Sequence, residues 1–223
     1  MTNVYNIYWE HCWKEENPAE LYKYLDMYYK LKCKEIDIFR EYNIVNVCDT
    51  ACGFGAYSLA FASNGFNVHS FDISETAVEI TTKGLQRYGL DAGNVKVANI
   101  LDTGYASETF DGVIAHAVID HLLVEDAKKA LDELFRITIS GGLILLSFDN
   151  AEDDDFTEKH ITLEDGTMQY TSEARKGMLF HPYDLEKIRN LLKNYNIIYE
   201  AHNLQREKRV ILKKSLKKNI YLI

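Results

Sequence analysis

Apolar positions along the chain alternate between two patterns, short runs of mainly apolar residues and longer stretches where they return every three or four positions. Residues 44–49 read as a strand and residues 55–63 as a helix, stopped by Asn64 and Gly65. Residues 67–73 form the next predicted strand; Ser74 caps a helix of about 75–88, and Gly89 ends it. Two further short strands, 95–100 and 111–117, flank a turn-rich segment at 102–109. Residues 125–137 predict a helix that Gly141 and Gly142 break, and 143–148 is a near-continuous apolar run suited to a central parallel strand. Upstream, residues 19–42 read as one helix, with Leu21, Tyr24, Leu25, Tyr28, Leu31, Ile36 and Phe39 roughly along one face.

After Phe148 the texture changes. Residues 149–155 are acidic and polar, which predicts a surface loop, and residues 162–167 predict a hairpin with Asp165 and Gly166 at its turn. Pro182 suits the first turn of a helix to about residue 194, and residues 197–201 and 209–213 predict an antiparallel strand pair. Strands alternating with helices imply one doubly wound α/β domain with helices on both faces of its sheet. Its predicted parts are an N-terminal helical segment (1–42), a core (43–150), a hairpin insert (151–182) and a C-terminal helix with the strand pair (183–223).

Composition narrows the classes. With 223 residues, 47% of them apolar, the chain is long enough for its own core and unlike a disordered one. A net charge of −9 argues against general affinity for nucleic acid or anionic membranes, and the basic stretch 213–218 reads as a solvated face. Four cysteines do not make a disulfide scaffold, and neither a signal sequence nor a membrane-spanning run is evident, so a reducing cytoplasm is expected.

The chemistry-bearing segment is 45–56, a strand running into a turn of small residues and then a helix. Small residues let the backbone approach a ligand, and a helix N-terminus offers unpaired N–H groups. Asp72 closes the second strand 19 residues past Gly53, where a carboxylate accepts hydrogen bonds from a ribose diol. A plain βαβ unit with a solvated acid fits too, and Ala51, Gly53 and Ala56 approximate a nicotinamide-dinucleotide fingerprint.

Four ordered matches across residues 40–150 resemble the class I S-adenosylmethionine-dependent methyltransferases. Asp49, Ala51, Gly53 and Gly55 match a D-x-G-x-G-x-G turn, with Ala51 in place of its first glycine. Asp72 and Ile73 match the ribose-binding acid and the apolar residue that packs on adenine. Residues 98–102 resemble the stretch after the third strand, where Asn99 replaces the usual acid and Ile100 supplies a backbone N–H to the adenine edge. Residues 110–122 resemble the fourth strand and the helix entry, with His116 meeting the methionine part through its backbone. The resemblance implies a Rossmann-like sheet of seven strands with the last pair antiparallel. It also implies S-adenosyl-L-methionine as cofactor and S-adenosyl-L-homocysteine as product. The rival classes are a nicotinamide-dependent oxidoreductase and a non-catalytic nucleoside-binding module on the same fold.

Methyl transfer from a sulfonium needs a positioned acceptor, exclusion of water and, for some acceptors, removal of a proton. Aromatic faces favour the cationic sulfur. Seven of the 15 tyrosines and both tryptophans fall in residues 1–42, so residues 1–30 are expected to form a lid, with Tyr5, Tyr8, Trp9 or Trp13 lining the pocket. His11, His116, His121 and His181 are the candidate bases, with His121 preferred as the catalytic residue and Asp120 as orienter or acid. Arg175 is a candidate for holding an acceptor carboxylate, and His181 for bordering the same pocket. Cys48 and Cys52 have no nearby ligand pair, so no metal is expected. The chain lacks both the N/D-P-P-Y/F/W motif and a Pro-Cys pair. A small-molecule acceptor is therefore expected, with no nucleic-acid or membrane partner, in a monomer or homodimer.

Overall fold

The structure, a computed structural model, describes residues 4–203 and 207–215. Three helices, α1 (Val4–Glu15), α2 (Pro18–Leu25) and α3 (Lys34–Glu41), lead into a βα alternation. It runs β1 (Asn46–Thr50), α4 (Ala56–Ser63), β2 (Asn67–Asp72), α5 (Glu75–Arg87), β3 (Val95–Val97) and β4 (Phe110–Ala115). A 3-10 turn (Ile119–His121), α6 (Val124–Ile137) and β5 (Thr138–Asp149) follow. The insert holds α7 (Asp153–Thr157), β6 (His160–Thr162), β7 (Met168–Tyr170) and β8 (Leu179–Phe180), and the chain returns through α8 (Leu185–Leu191), β9 (Asn196–His202) and β10 (Glu207–Lys213).

Seven strands order as β3-β2-β1-β4-β5-β10-β9. The first five are parallel, and β10 inserts antiparallel between β5 and β9. This is the expected doubly wound, Rossmann-like sheet. The strand order reverses at β1 and β4, and such a switch point opens a crevice at the carboxyl ends of the strands. One face buries Phe110, Leu131, Leu134 and Ile188 under α6 and α8; the other buries Phe39, Leu59, Phe61 and Leu85 under α3, α4 and α5. The near-continuous apolar run in β5 is covered on both sides, with Ile144 in one core and Leu143 and Leu145 in the other.

Four readings need correction. The single helix over 19–42 is two helices joined by turns, because Lys30 takes a left-handed φ of 52° and the segment is tied across to α4. Lys30 N–H donates to Ser63 Oγ and Asn64 Nδ2 to the Leu31 carbonyl. The helix before β5 ends at Ile137, ahead of the two glycines; Gly142 lies within the strand, where a Cβ would stand 2.5 Å from the Asp111 carbonyl oxygen. Part of the expected loop 149–155 is the short α7, closed by a reciprocal Glu152–Asp155 capping box. Pro182 does not open α8; Asp184 caps it, its carboxylate accepting from Lys187 N–H at 2.7 Å.

The hairpin is present, and β6, β7 and β8 form a separate sheet that seats itself on the core. Asp165 Oδ2 accepts from Val124 N–H at the start of α6, and His181 N–H donates to the Asp120 carbonyl of the 3-10 turn. The insert thereby becomes one wall beside the crevice.

Candidate functional site

Three tight turns at the carboxyl ends of β1, β2 and β4 make the floor of the crevice. After β1 the chain turns through Ala51, Gly53 and Gly55, all at positive φ (56°, 54° and 85°), and Cys52 N–H binds back to the Phe71 carbonyl of β2. Ala51 holds the left-handed geometry that glycine adopts freely, which costs an L-residue about 1–2 kcal/mol. Ala117, after β4, is a second strained alanine (φ 46°), and its N–H is held by Ser147 Oγ. Both alanines line the pocket, where backbone strain commonly marks a ligand site.

Asp72 closes β2 with its carboxylate turned to the crevice. Gly53 N–H donates to Oδ2 at 2.9 Å and Ser74 N–H to Oδ1 at 3.0 Å. Burial pushes its pKa up, and these backbone donors hold it down in part. Phe71, Ile73, Ala98 and Ile100 give an apolar slot beside it, with Asn99 at the rim. Asn99 Oδ1 already accepts Leu101 N–H, which leaves one lone pair and the amide protons for a ligand.

Helix α1 roofs the crevice with Tyr5, Trp9 and Trp13. Trp13 stacks over the glycine turn so closely that a Cβ on Gly53 would stand 2.9 Å from its ring. Trp9 meets the His121 imidazole edge-on at 5.1 Å. The helix is pinned at two places: at the β2–α5 junction, where Asn6 Nδ2 donates to the Ile73 carbonyl and the Ser74 and Thr76 hydroxyls donate to Glu10, and at α6, where Tyr5 Oη donates to Asp126 at 2.7 Å. Partial burial works against ionisation of Glu10, but those hydroxyls and Lys14 outweigh it and hold the carboxyl at about 2. Sequence reasoning missed Glu10, since nothing in an exposed-looking helix marks one acid as the latch.

Of the residues singled out from the sequence, the fold brings Tyr5, Trp9, Trp13, Ala51, Gly53, Asp72, Ile73, Asn99, Ile100 and His121 to this pocket. Others lie elsewhere. Asp49 is buried beneath the turn, where Ser58 Oγ donates to it at 2.6 Å; burial raises its pKa to about 6. Gly55 N-caps α4 against Thr81. The His116 imidazole points away to Glu207, with Nε2 at 2.9 Å from Oε2, and packs on Tyr57. His11 is exposed on α1.

A second cavity lies across His121, lined by Tyr8, Asp149, Asn150, Arg175 and Phe180 among others. Arg175 is there, but its guanidinium is already paired with Asp155 at 2.6 Å, so it is not the free clamp expected of it. His181 belongs to neither cavity; its Nδ1 lies 3.2 Å from Thr167 Oγ1 and its ring lines a groove beside Lys187. The His121 Nδ1 lies 2.9 Å from the Leu179 carbonyl, a contact that puts the proton there and leaves the Nε2 lone pair free. Burial and neighbouring Asp120 push Asp149 up to about 6. Sequence spacing hid this second cavity, since the insert and β5 supply its walls.

A doubly wound sheet with an acid closing β2, a small-residue turn after β1 and an apolar slot between them defines a nucleoside-cofactor-binding protein. The donor set fits an adenosyl group: a carboxylate for a diol, an apolar slot for a flat base, a turn of small residues with glycine at 53 and 55, and aromatic rings beyond it. Comparison with known proteins narrows this class. Residues 48–146 match the methyltransferase domain family. A tRNA (carboxymethyluridine(34)-5-O)-methyltransferase of Arabidopsis thaliana is 32% identical over 114 residues, covering 49% of this chain and 25% of that protein. A demethylmenaquinone methyltransferase of Clavibacter sepedonicus is 30% identical over 100 residues, covering 45% of this chain and 39% of that one. The chain thus spans well under two thirds of the length of these relatives. A solved SAM-dependent methyltransferase from Methanosarcina mazei shares the fold, with a TM-score of 0.66 at 20% identity over 81% of this chain and 98% of that one. Residues 48–146 thus match the methyltransferase domain family, and the fold is the one that solved SAM-dependent methyltransferases share.

Proposed function

We propose that this chain transfers a methyl group from S-adenosylmethionine to a small-molecule acceptor. The observation that supports it best is the Asp72 carboxylate, buried to 4% exposure yet lining the pocket with two backbone N–H groups fixing its orientation. Such an acid accepts both ribose hydroxyls, while Ile73 and Ile100 flank the adenine and Asn99 meets its edge. Bound there, the sulfonium supplies an activated methyl group, which an acceptor's lone pair takes as the carbon–sulfur bond breaks. Trp9 and Trp13 exclude water from that point and turn aromatic faces to positive charge. His121 stands between the two cavities, so the acceptor enters from the side lined by Tyr8 and Asp149.

Net charge supports a small acceptor over a polynucleotide, since a chain at −9 repels phosphate backbones. Among the described residues no helix is long and apolar enough to cross a membrane. The testing experiment is calorimetric titration with S-adenosylhomocysteine and, separately, NAD. Binding of the first alone is expected; binding of NAD alone would replace this reading with the oxidoreductase one. Consumption of S-adenosylmethionine in the presence of acceptor mixtures then separates an enzyme from a binding module.

A further inference from the structure

The wall between the two cavities brings together three side chains whose grouping the methyl-transfer reading does not explain. Asp120 and His121 come from the 3-10 turn after β4, and Asp149 from the last position of β5. Each offers one oxygen or nitrogen atom, and these atoms all lie within 4.8 Å of one another. Asp120 is fully buried, at 0% exposure. Its Oδ2 accepts Asp149 N–H at 2.8 Å, but its Oδ1 has no hydrogen-bond partner among the described residues. A buried carboxylate oxygen left without a donor is costly, and native proteins rarely keep one without a ligand, ion or water to complete it.

We propose that Asp120, His121 and Asp149 bind one divalent cation. Two carboxylates and an imidazole suit Mn²⁺ and its neighbours, which accept mixed oxygen and nitrogen donors. Adjacent ligands of an ion bound at about 2.1 Å stand roughly 3 Å apart and opposite ones roughly 4.2 Å, so small side-chain rotations complete the set. His121 is oriented as a ligand should be. Its Nδ1 is engaged by the Leu179 carbonyl, which fixes the ring and presents Nε2. Lys208 reaches into the same region, where its ammonium donates a hydrogen bond to Asn150 Oδ1 at 2.7 Å.

Three protein ligands leave coordination positions open, and His121 and Asp149 both line the second cavity. On the methyltransferase reading, which this role rests on, the cation would hold an acceptor through its oxygens, lower the pKa of a hydroxyl among them and aim it at the first pocket. That selects acceptors carrying two adjacent oxygens, such as vicinal diols or hydroxy acids.

The test uses the full chain and Mn²⁺ alone, without cofactor or acceptor, read by electron paramagnetic resonance and by thermal unfolding. One Mn²⁺ per chain is expected to bind and raise the Tm. Asp149→Asn and Asp120→Asn should each weaken it by about tenfold or more. Asparagine at position 120 still accepts Asp149 N–H, so a folded Asp120→Asn chain is expected, and an unchanged melting curve without metal verifies it. Absence of saturable Mn²⁺ binding, or equal affinity in wild type and both variants, overturns the proposal. Titration of the same samples with S-adenosylhomocysteine reads the cofactor pocket independently, so a failed metal site and a failed methyltransferase reading give different results.

Discussion

The two cavities on either side of His121 are built on different principles. The first is made by the sheet. Its acid, its slot and its strained turns all sit at the ends of β1, β2, β3 and β4, and backbone N–H groups orient Asp72 directly. The second is made by distant segments, α1, the end of β5 and the insert, the last closed on itself by the Arg175–Asp155 pair. A site fixed by backbone changes little with sequence elsewhere, whereas one assembled from insertions is free to vary in what it accepts.

That contrast predicts the sharpest loss on the sheet side. Asp72→Ala removes a charged acceptor for two ribose hydroxyls, each such bond being worth about 1.5–3 kcal/mol, so affinity for S-adenosylhomocysteine should fall by roughly 100-fold or more. Calorimetry reads it, and an unchanged affinity would break the comparison at its base. Gly53→Ala comes next. Its left-handed φ and the Trp13 ring at 2.9 Å from a Cβ together should cost about 1–2 kcal/mol and lower the Tm by several degrees.

A smaller effect concerns Asp49, which sits under the turn without entering the pocket. Its folded pKa of about 6 lies above the ordinary 3.8, so the folded chain binds an extra proton between those values. Stability should therefore rise as pH falls through 6 and level off near 4, and Asp49→Asn should flatten that rise in pH-dependent melting curves. The mildest change is Ala51→Gly. Relief of the strain at φ 56° is offset by the greater freedom of glycine in the unfolded chain, for a net gain of about 1 kcal/mol or less by denaturant titration.

The same contrast explains what could be read from the sequence. Strand ends and glycine turns announce themselves locally, so Asp72, Ile73, Gly53 and the alternation of strands with helices were visible in linear spacing. Ala51 was legible as a departure from pattern, and the structure gives it the backbone of the glycine it replaces. His181 was misplaced and the pairing of Arg175 with Asp155 went unseen, because both depend on how the insert folds back, which no periodicity encodes. The Asp120–His121–Asp149 group was invisible for a related reason: two members are neighbours, but the third lies at the end of another strand. The helix over 19–42 failed where ties to α4 override a nearly continuous helical pattern.

The clasp that fastens α1 over the crevice has a kinetic corollary. With Asn6 and Glu10 tethered to the β2–α5 junction, Tyr5 to α6, and two indoles overhead, anything seated on Asp72 is shut in. Spent cofactor leaves only when those tethers let go together, so the escape step, rather than bond making, should limit the pace of repeated cycles.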